Sequence, residues 1–183
     1  MVSYRAPSEP SRTRVYLWRK LKELGAVYLQ QGVAVLPLTD SLLVVVEALR
    51  AEMAASGGSV MTGKMTFVNS DDDDWVVAAF QEQRDADYDE IVEQCDRLTC
   101  ELDCETREKK FTYAEIEENE TELARIHKWM ERVVARDWFS ASGRARAELA
   151  VRRAEESSQA YTGEVECRKG HVADIEPPER PHC

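Results

Sequence analysis

The apolar positions of this chain change period once, near residue 69, and that change divides it into two kinds of architecture. Before it, short alternating stretches punctuate helical ones. The spacing predicts a strand at 2–5, a helix at 10–24, strands at 27–29 and 33–36 turning near Gln31-Gly32, a helix at 41–55 and a last strand at 59–68. In the first helix Val15, Trp18 and Leu21, with Leu17 and Leu24 beside them, recur at three- and four-residue steps. Pro10 stands just inside its start, where a missing N–H costs nothing. In the second helix Leu42, Val46, Leu49 and Met53 form the apolar face; Thr39, Asp40 or Ser41 can cap its start and Gly57-Gly58 can end it. In the last strand Met61, Met65 and Phe67 alternate with Thr62, Lys64 and Thr66, the period of a sheet with one buried face.

Beyond Val68 the period is helical. Ser70 followed by Asp71 to Asp74 places a cap and acidic charge in a first helical turn, where the dipole favours them, so this run reads as a helix start rather than a metal cluster. Tyr88, Val92, Cys95 and Leu102 mark one helix. Ile116, Leu123, Ile126, Met130 and Val133 mark another, opened by a Thr112/Glu115 capping box. A third, at 143–165, turns Ala147, Ala150, Ala154 and Tyr161 inward. The expectation is an α+β protein. A ferredoxin-like β-α-β-β-α-β domain fills 1–69, an antiparallel helical hairpin or three-helix extension fills 70–168, and a disordered proline-rich tail fills 169–183. Only Val2 to Arg5 precede Ala6-Pro7, fewer than the usual five or so residues of a central strand, so the chain is expected to begin inside that strand.

Composition adds limits. With 183 residues and 43% hydrophobic content, the chain can bury a sizeable core. Its longest apolar runs fall short of the ~20 residues that span a bilayer, and its start lacks the apolar stretch of a secretory signal, which predicts a cytoplasmic protein without a membrane partner. Five cysteines, an odd number, point to reduced thiols. The net charge of −11 is uneven: residues 1–68 carry 8 Lys+Arg against 5 Asp+Glu, residues 69–126 carry 6 against 20, and residues 127–183 carry 10 against 10. The first segment is therefore mildly basic, and the acidic total does not exclude DNA.

The cations of that segment are the leading candidates for chemistry. Arg5, Arg12, Arg14 and Arg19, with Ser8 and Ser11, gather near a helix start, and guanidinium groups there give bidentate, charge-assisted hydrogen bonds to an oxyanion or to nucleic-acid phosphates. The plainer reading is a solvated face that pairs with the acidic segment. Cys100 and Cys104 share a helix face at an i,i+4 spacing, suited to a redox pair or a metal, while Cys95 lies far around the cylinder. A three-thiolate site on one helix is not expected, and incidental cysteine is the plainer reading. Cys167 and His171 repeat the spacing without making a zinc signature. Trp18, Trp75, Trp129 and Trp138 sit at helical spacing and read as core. The sequence has no glycine-rich phosphate loop, nucleophile elbow or histidine pair at a metal spacing, so neither enzyme activity, a metal nor a cofactor is expected. Nor does a helix-turn-helix with a basic second helix stand out.

The stretch from Pro7 to Lys22, followed by Gly25 to Pro37, resembles the N-terminal domain of the ChrB family of bacterial chromate-resistance regulators. The likeness continues through Arg84-Asp85-Ala86-Asp87-Tyr88, through Phe111 to Glu120, and into Trp129 and Arg136-Asp137-Trp138-Phe139, most of residues 5–165. It implies a cytoplasmic regulator of chromate-efflux genes with chromate as inducer. The opening stretch is also similar to the central domain of phenylacetate-degradation repressors, whose ferredoxin-like fold resembles a CRISPR-associated nuclease; that likeness carries fold alone. Family members append a second domain after the helical region, whereas this sequence ends in a proline-rich tail. The expectation is thus a chromate-responsive transcriptional regulator or a truncated paralogue, binding chromate or another oxyanion and operator DNA as a homo-oligomer. The alternatives are a protein-interaction or dimerisation module without an effector, and then a ferredoxin-like nuclease or a thiol-dependent chromate-reducing protein.

Overall fold

The computed structural model describes residues 1–5 and 11–173. Its elements are β1 (Val2–Arg5), α1 (Ser11–Glu23), β2 (Val27–Gln30), β3 (Val33–Val35), α2 (Asp40–Ala55), β4 (Ser59–Thr62), α3 (Ser70–Glu108), α4 (Tyr113–Val134) and α5 (Arg144–Ala173). Among the described residues the protein is α+β and mostly helical, with one four-stranded sheet in the order β2-β3-β1-β4, every pairing antiparallel. It divides into two compact units. The first holds Met1–Asp85 and Ala135–Ser142, and the second holds Ala86–Val134 and Gly143–Cys183. The division therefore falls within α3 rather than at residue 69, and the segment after α4 returns to the sheet unit. Of the expected tail, residues 169–173 continue α5, and 174–183 lie outside the described residues.

In the sheet unit both faces of the sheet are covered. Val2, Ala34 and Val60 pack against Leu17 and Leu21 of α1 and Val46, Leu49 and Met53 of α2. On the opposite face Val27 and Val35 pack with Val76 and Phe80, flanked by Met65, Phe67, Trp138 and Phe139. The Phe80 and Phe139 rings meet with centroids 5.1 Å apart, and Gln81 donates to the Phe139 carbonyl at 2.9 Å, tying 135–142 to the start of α3. Helix α2 buries the expected face of Leu42, Val46, Leu49 and Met53, and Thr39 caps it, accepting from the Leu42 N–H at 3.3 Å. Helix α1 ends in a Schellman arrangement: Gly25, at φ +79°, donates to the Lys22 carbonyl and Ala26 to that of Leu21.

Three expectations in this unit need correction. The face of α1 that packs is Leu17 and Leu21, both fully buried, whereas Val15 and Trp18 are exposed. Leucines one turn apart fill the groove above the sheet, which rotates the indole to the surface. Trp75 is exposed as well, so the core reading fails for both tryptophans. The last strand ends at Thr62 rather than at residue 68, and its inward residue is Val60, with Met61 exposed. Register explains this. Pairing of Tyr4 with Val60 and of Val2 with Thr62 places those four residues on the face that α1 and α2 cover, while Met61, opposite Ser3, points to the other face and is exposed.

The second unit contains the C-terminal part of α3, with α4 and α5. Tyr88, Ile91, Cys95, Leu98 and Leu102 form a buried stripe at alternating three- and four-residue steps, so Ile91 and Leu98, not Val92, complete the apolar face. The next position in that rhythm is Glu105, also buried. On α5, Ala147, Ala150, Ala154 and Tyr161 turn inward as expected, with Val151, Ser158 and Val165. Thr112 accepts from the Glu115 N–H at 3.2 Å and caps α4. Asn119 donates to Glu105 at 3.3 Å, His127 and Glu155 pair at 2.9 Å, Arg146 pairs with Asp89, and the Tyr161 hydroxyl donates to the Lys110 carbonyl. These links run α4 antiparallel to both α3 and α5, giving three helices in an up-down-up arrangement. Among the described residues no helix is long and apolar enough to cross a membrane.

Candidate functional site

The sheet unit carries a cleft of about 380 Å³ between the exposed side of α1 and the β2–β3 turn. Arg14, Val15 and Trp18 line it from α1, Tyr4 from β1, Tyr28 and Gln30 from β2, and Gln31 with Gly32 from the turn. Local structure explains the placement. Arg14 and Trp18 are one helical turn apart and share a side of α1, next to the strip that Leu17 and Leu21 bury. Tyr4 follows Val2 on the helix-covered sheet face, and Tyr28 lies across β3 from it; both pack at the margin of that core. Gly32 adopts φ +79°, and a Cβ there would stand 2.9 Å from the Tyr4 carbonyl, so the turn requires glycine. The Tyr4 N–H in turn donates to the Gly32 carbonyl at 2.8 Å, fixing turn and strand together.

The floor is aromatic and hydroxylated. The rings of Tyr4 and Tyr28 meet edge to face, with centroids 6.4 Å apart and planes at 85°, and their hydroxyls are 3.3 Å apart. Burial, with the Tyr4 hydrogen bond adding to it, pushes the Tyr28 phenol well above its ordinary value, so it stays protonated and able to donate. The Lys22 ammonium lies 6.0 Å from the Tyr28 ring centroid, at cation–π distance. The cleft therefore offers one guanidinium, an indole face, two phenols and two primary amides, a set that favours anionic or aromatic guests over cations.

The arginines named from the sequence do not converge. At about 100° per residue Arg12 and Arg19 share one side of α1, and Arg14 lies about 140–160° from them. All three are exposed, and only Arg14 lines the cleft. Arg5 is exposed at the end of β1, outside the lining. Ser8, and Pro10 with it, fall outside the described residues, as does the side chain of Ser11. Among the described residues none of Arg5, Arg12, Arg14 and Arg19 has an ion-pair partner. A single tetrahedral ion can thus reach Arg14 or the Arg12/Arg19 side, not both. Tyr4, Tyr28 and the two glutamines were not singled out by sequence reasoning. Their signal lay in the hairpin and in the alternation of Val2 with Tyr4, which puts both tyrosines on one face.

The cysteines divide by exposure. Cys95 is buried, and desolvation, with the Asp96 charge adding to it, pushes its thiol up to about 11, which holds it protonated. Cys100 and Cys104 are exposed, and the Cys104 thiol donates to Glu108 at 3.8 Å. Among the described residues no group of three or more His, Cys, Asp or Glu side chains is placed to hold a metal.

The sequence profile of the family described as Protein ChrB, N-terminal, matches residues 14–171, which takes in the cleft-lining part of α1, the hairpin and the three-helix unit. The chain belongs to the ChrB N-terminal family. No curated protein and no solved structure matches it. Membership associates the chain with chromate resistance, and the match begins at Arg14, the cation that lines the cleft.

Proposed function

We propose that this ChrB-family chain is the effector-sensing part of a cytoplasmic, chromate-responsive transcriptional regulator, and that Arg14 in the α1 cleft is its oxyanion contact. One observation carries the reading. A member of a chromate-resistance family presents, in an open cleft, a guanidinium with no ion-pair partner among the described residues. Chromate is a tetrahedral dianion, and a guanidinium binds such an ion through two parallel N–H donors. The hydrogen-bonded Tyr4/Tyr28 hydroxyl pair, in which one O–H is spent on the other, supplies one further donor of the kind an oxyanion needs. The β2-β3-β1-β4 order with all pairings antiparallel supports a ferredoxin-like sheet domain. Arg12 and Arg19, on the other side of α1, are free to meet DNA phosphates while Arg14 holds the effector. Mobility shift of DNA upstream of a chromate-efflux gene tests the regulatory role. The expected result is a complex that chromate dissociates; absence of any complex, with or without chromate, removes it.

A dimerisation or interaction module is the second reading. The observation that favours it is the exposed run Leu43, Val44 and Val45 on α2, with Val44 71% exposed. Sedimentation of the wild type against Val44→Asp distinguishes the two, because a module that self-associates through α2 becomes monomeric in that variant.

A further inference from the structure

An oxyanion held by Arg14 and the tyrosine hydroxyls leaves Trp18, Gln30 and Gln31 of the cleft without a partner. A tetrahedral ion has no flat face, yet the cleft sets the Trp18 indole, 45% exposed, beside that guanidinium. Leaving so much indole in water is unfavourable, and nothing in the α1 packing requires it, since Leu17 and Leu21 already fill the groove. The volume, about 380 Å³, is that of a site for a small organic molecule rather than a bare ion. Gln30 and Gln31 stand at the rim, each exposed and each carrying both a hydrogen-bond donor and an acceptor. A proline-rich peptide would use the rings but not the cation, and a quaternary ammonium guest would be repelled by Arg14.

We infer that the cleft is a nucleotide site, in which an aromatic base stacks on Trp18 while the attached phosphate takes the Arg14 guanidinium. Indole and phenol rings hold bases through their π-faces irrespective of sequence, and Arg binds the phosphate bidentately. The rim amides then meet the base edge, and the Tyr4/Tyr28 hydroxyl pair faces the sugar. A free mononucleotide and one residue of a single strand present this same chemistry. The inference shares Arg14 with the oxyanion reading but does not rest on it.

Titration of the full chain with adenosine 5′-monophosphate, adenosine and a labelled single-stranded hexanucleotide tests it, by calorimetry for the first two and fluorescence polarisation for the third. Stacking is worth ~1–3 kcal/mol per base, so Trp18→Ala weakens binding about fivefold or more, and Trp18→Phe restores most of it. Arg14→Gln weakens the monophosphate about tenfold and leaves adenosine unchanged. The double variant Arg12→Gln, Arg19→Gln, on the opposite side of α1, changes the monophosphate by less than about threefold. Monophosphate binding that responds in this way assigns the site to a free nucleotide; hexanucleotide binding alone, with the same response to Trp18 and Arg14, assigns it to a strand. The inference is overturned if neither probe binds at millimolar concentration, if Trp18→Ala binds like wild type, or if the Arg12/Arg19 variant loses as much as Arg14→Gln. Since all four altered residues are exposed, an unchanged circular dichroism melt certifies each variant. A chain that ignores chromate but binds the monophosphate would refute the effector proposal and leave this one intact.

Discussion

The sheet unit and the three-helix unit bury similar apolar inventories and differ in where they put their polar groups. Around the sheet, Leu17, Leu21, Val46, Leu49 and Met53 close one face and Val76 and Phe80 the other, while the cations and aromatics of α1 stay at the surface around a cleft. In the helical unit the stripes that should be apolar include Glu105, Asn119 and Ser158, all buried. Each unit thus buries one charged side chain, Arg84 in the first and Glu105 in the second, while the cleft that combines a guanidinium with aromatic rings lies in the first. The acidic charge of residues 69–126 crosses that division, with Asp71 to Asp74, Glu82 and Asp85 in the sheet unit, because it follows the solvated outer faces of the long helices α3 and α4.

The strongest way to break the comparison is to remove packing from the sheet unit. Leu21 is fully buried beneath the sheet, so Leu21→Ala costs ~2–5 kcal/mol and lowers the urea midpoint sharply, whereas Val44→Ala, on the exposed side of α2, stays within ~0.5 kcal/mol. Similar midpoints for the two would mean that α1 does not hold the sheet. Next comes the turn under the cleft. Gly32→Ala forces a Cβ to 2.9 Å from the Tyr4 carbonyl at φ +79°, and ~1–3 kcal/mol of stability is lost together with affinity for the cleft's guest.

The third test sharpens the contrast through pH. Desolvation, with the hydrogen bond to Glu115 next, raises the Glu105 carboxyl above its ordinary value, while the Asn119 amide lowers it in part. A raised acid binds its proton more tightly folded than unfolded. Its favourable contribution is complete below the ordinary glutamic value and is lost as pH rises from there through the folded value. Glu105→Gln keeps a donor for Glu115 and an acceptor for Asn119 without the charge. The melting temperature of the variant relative to wild type is thus expected to rise with pH across that window. Parallel melting profiles from pH 4 to 7 would show that Glu105 does not sense protons.

Helices were readable where one face is buried and capped. Leu42, Val46, Leu49 and Met53 of α2, and Ala147, Ala150, Ala154 and Tyr161 of α5, are inward as their spacing predicts, and Thr39 and Thr112 both cap. What pattern alone left undetermined was which face of an element meets the core. On α1 the expected wide face of Val15, Trp18 and Leu21 with Leu17 beside them is buried only on its Leu17-Leu21 side, which packing against Val2, Ala34 and Val60 of the sheet selects. Met61 fits an alternating strand as well as Val60 does, and the β1 register decides between them. Glu105 was missed because it occupies an apolar position of the heptad rhythm with a charged residue. The site was legible in part: Arg14 was named, but its separation from Arg12 and Arg19 depends on helix orientation, and its company with Tyr4 and Tyr28 depends on sheet order.

The central claim is that Arg14, alone among the α1 arginines, grips the effector from within the cleft. Calorimetric titration of chromate into wild type, Arg14→Ala and the Arg12→Ala, Arg19→Ala pair tests it most directly. Binding that disappears in Arg14→Ala and persists in the double variant is the expected result. Chromate affinity unchanged in Arg14→Ala, or lost only in the double variant, would contradict it.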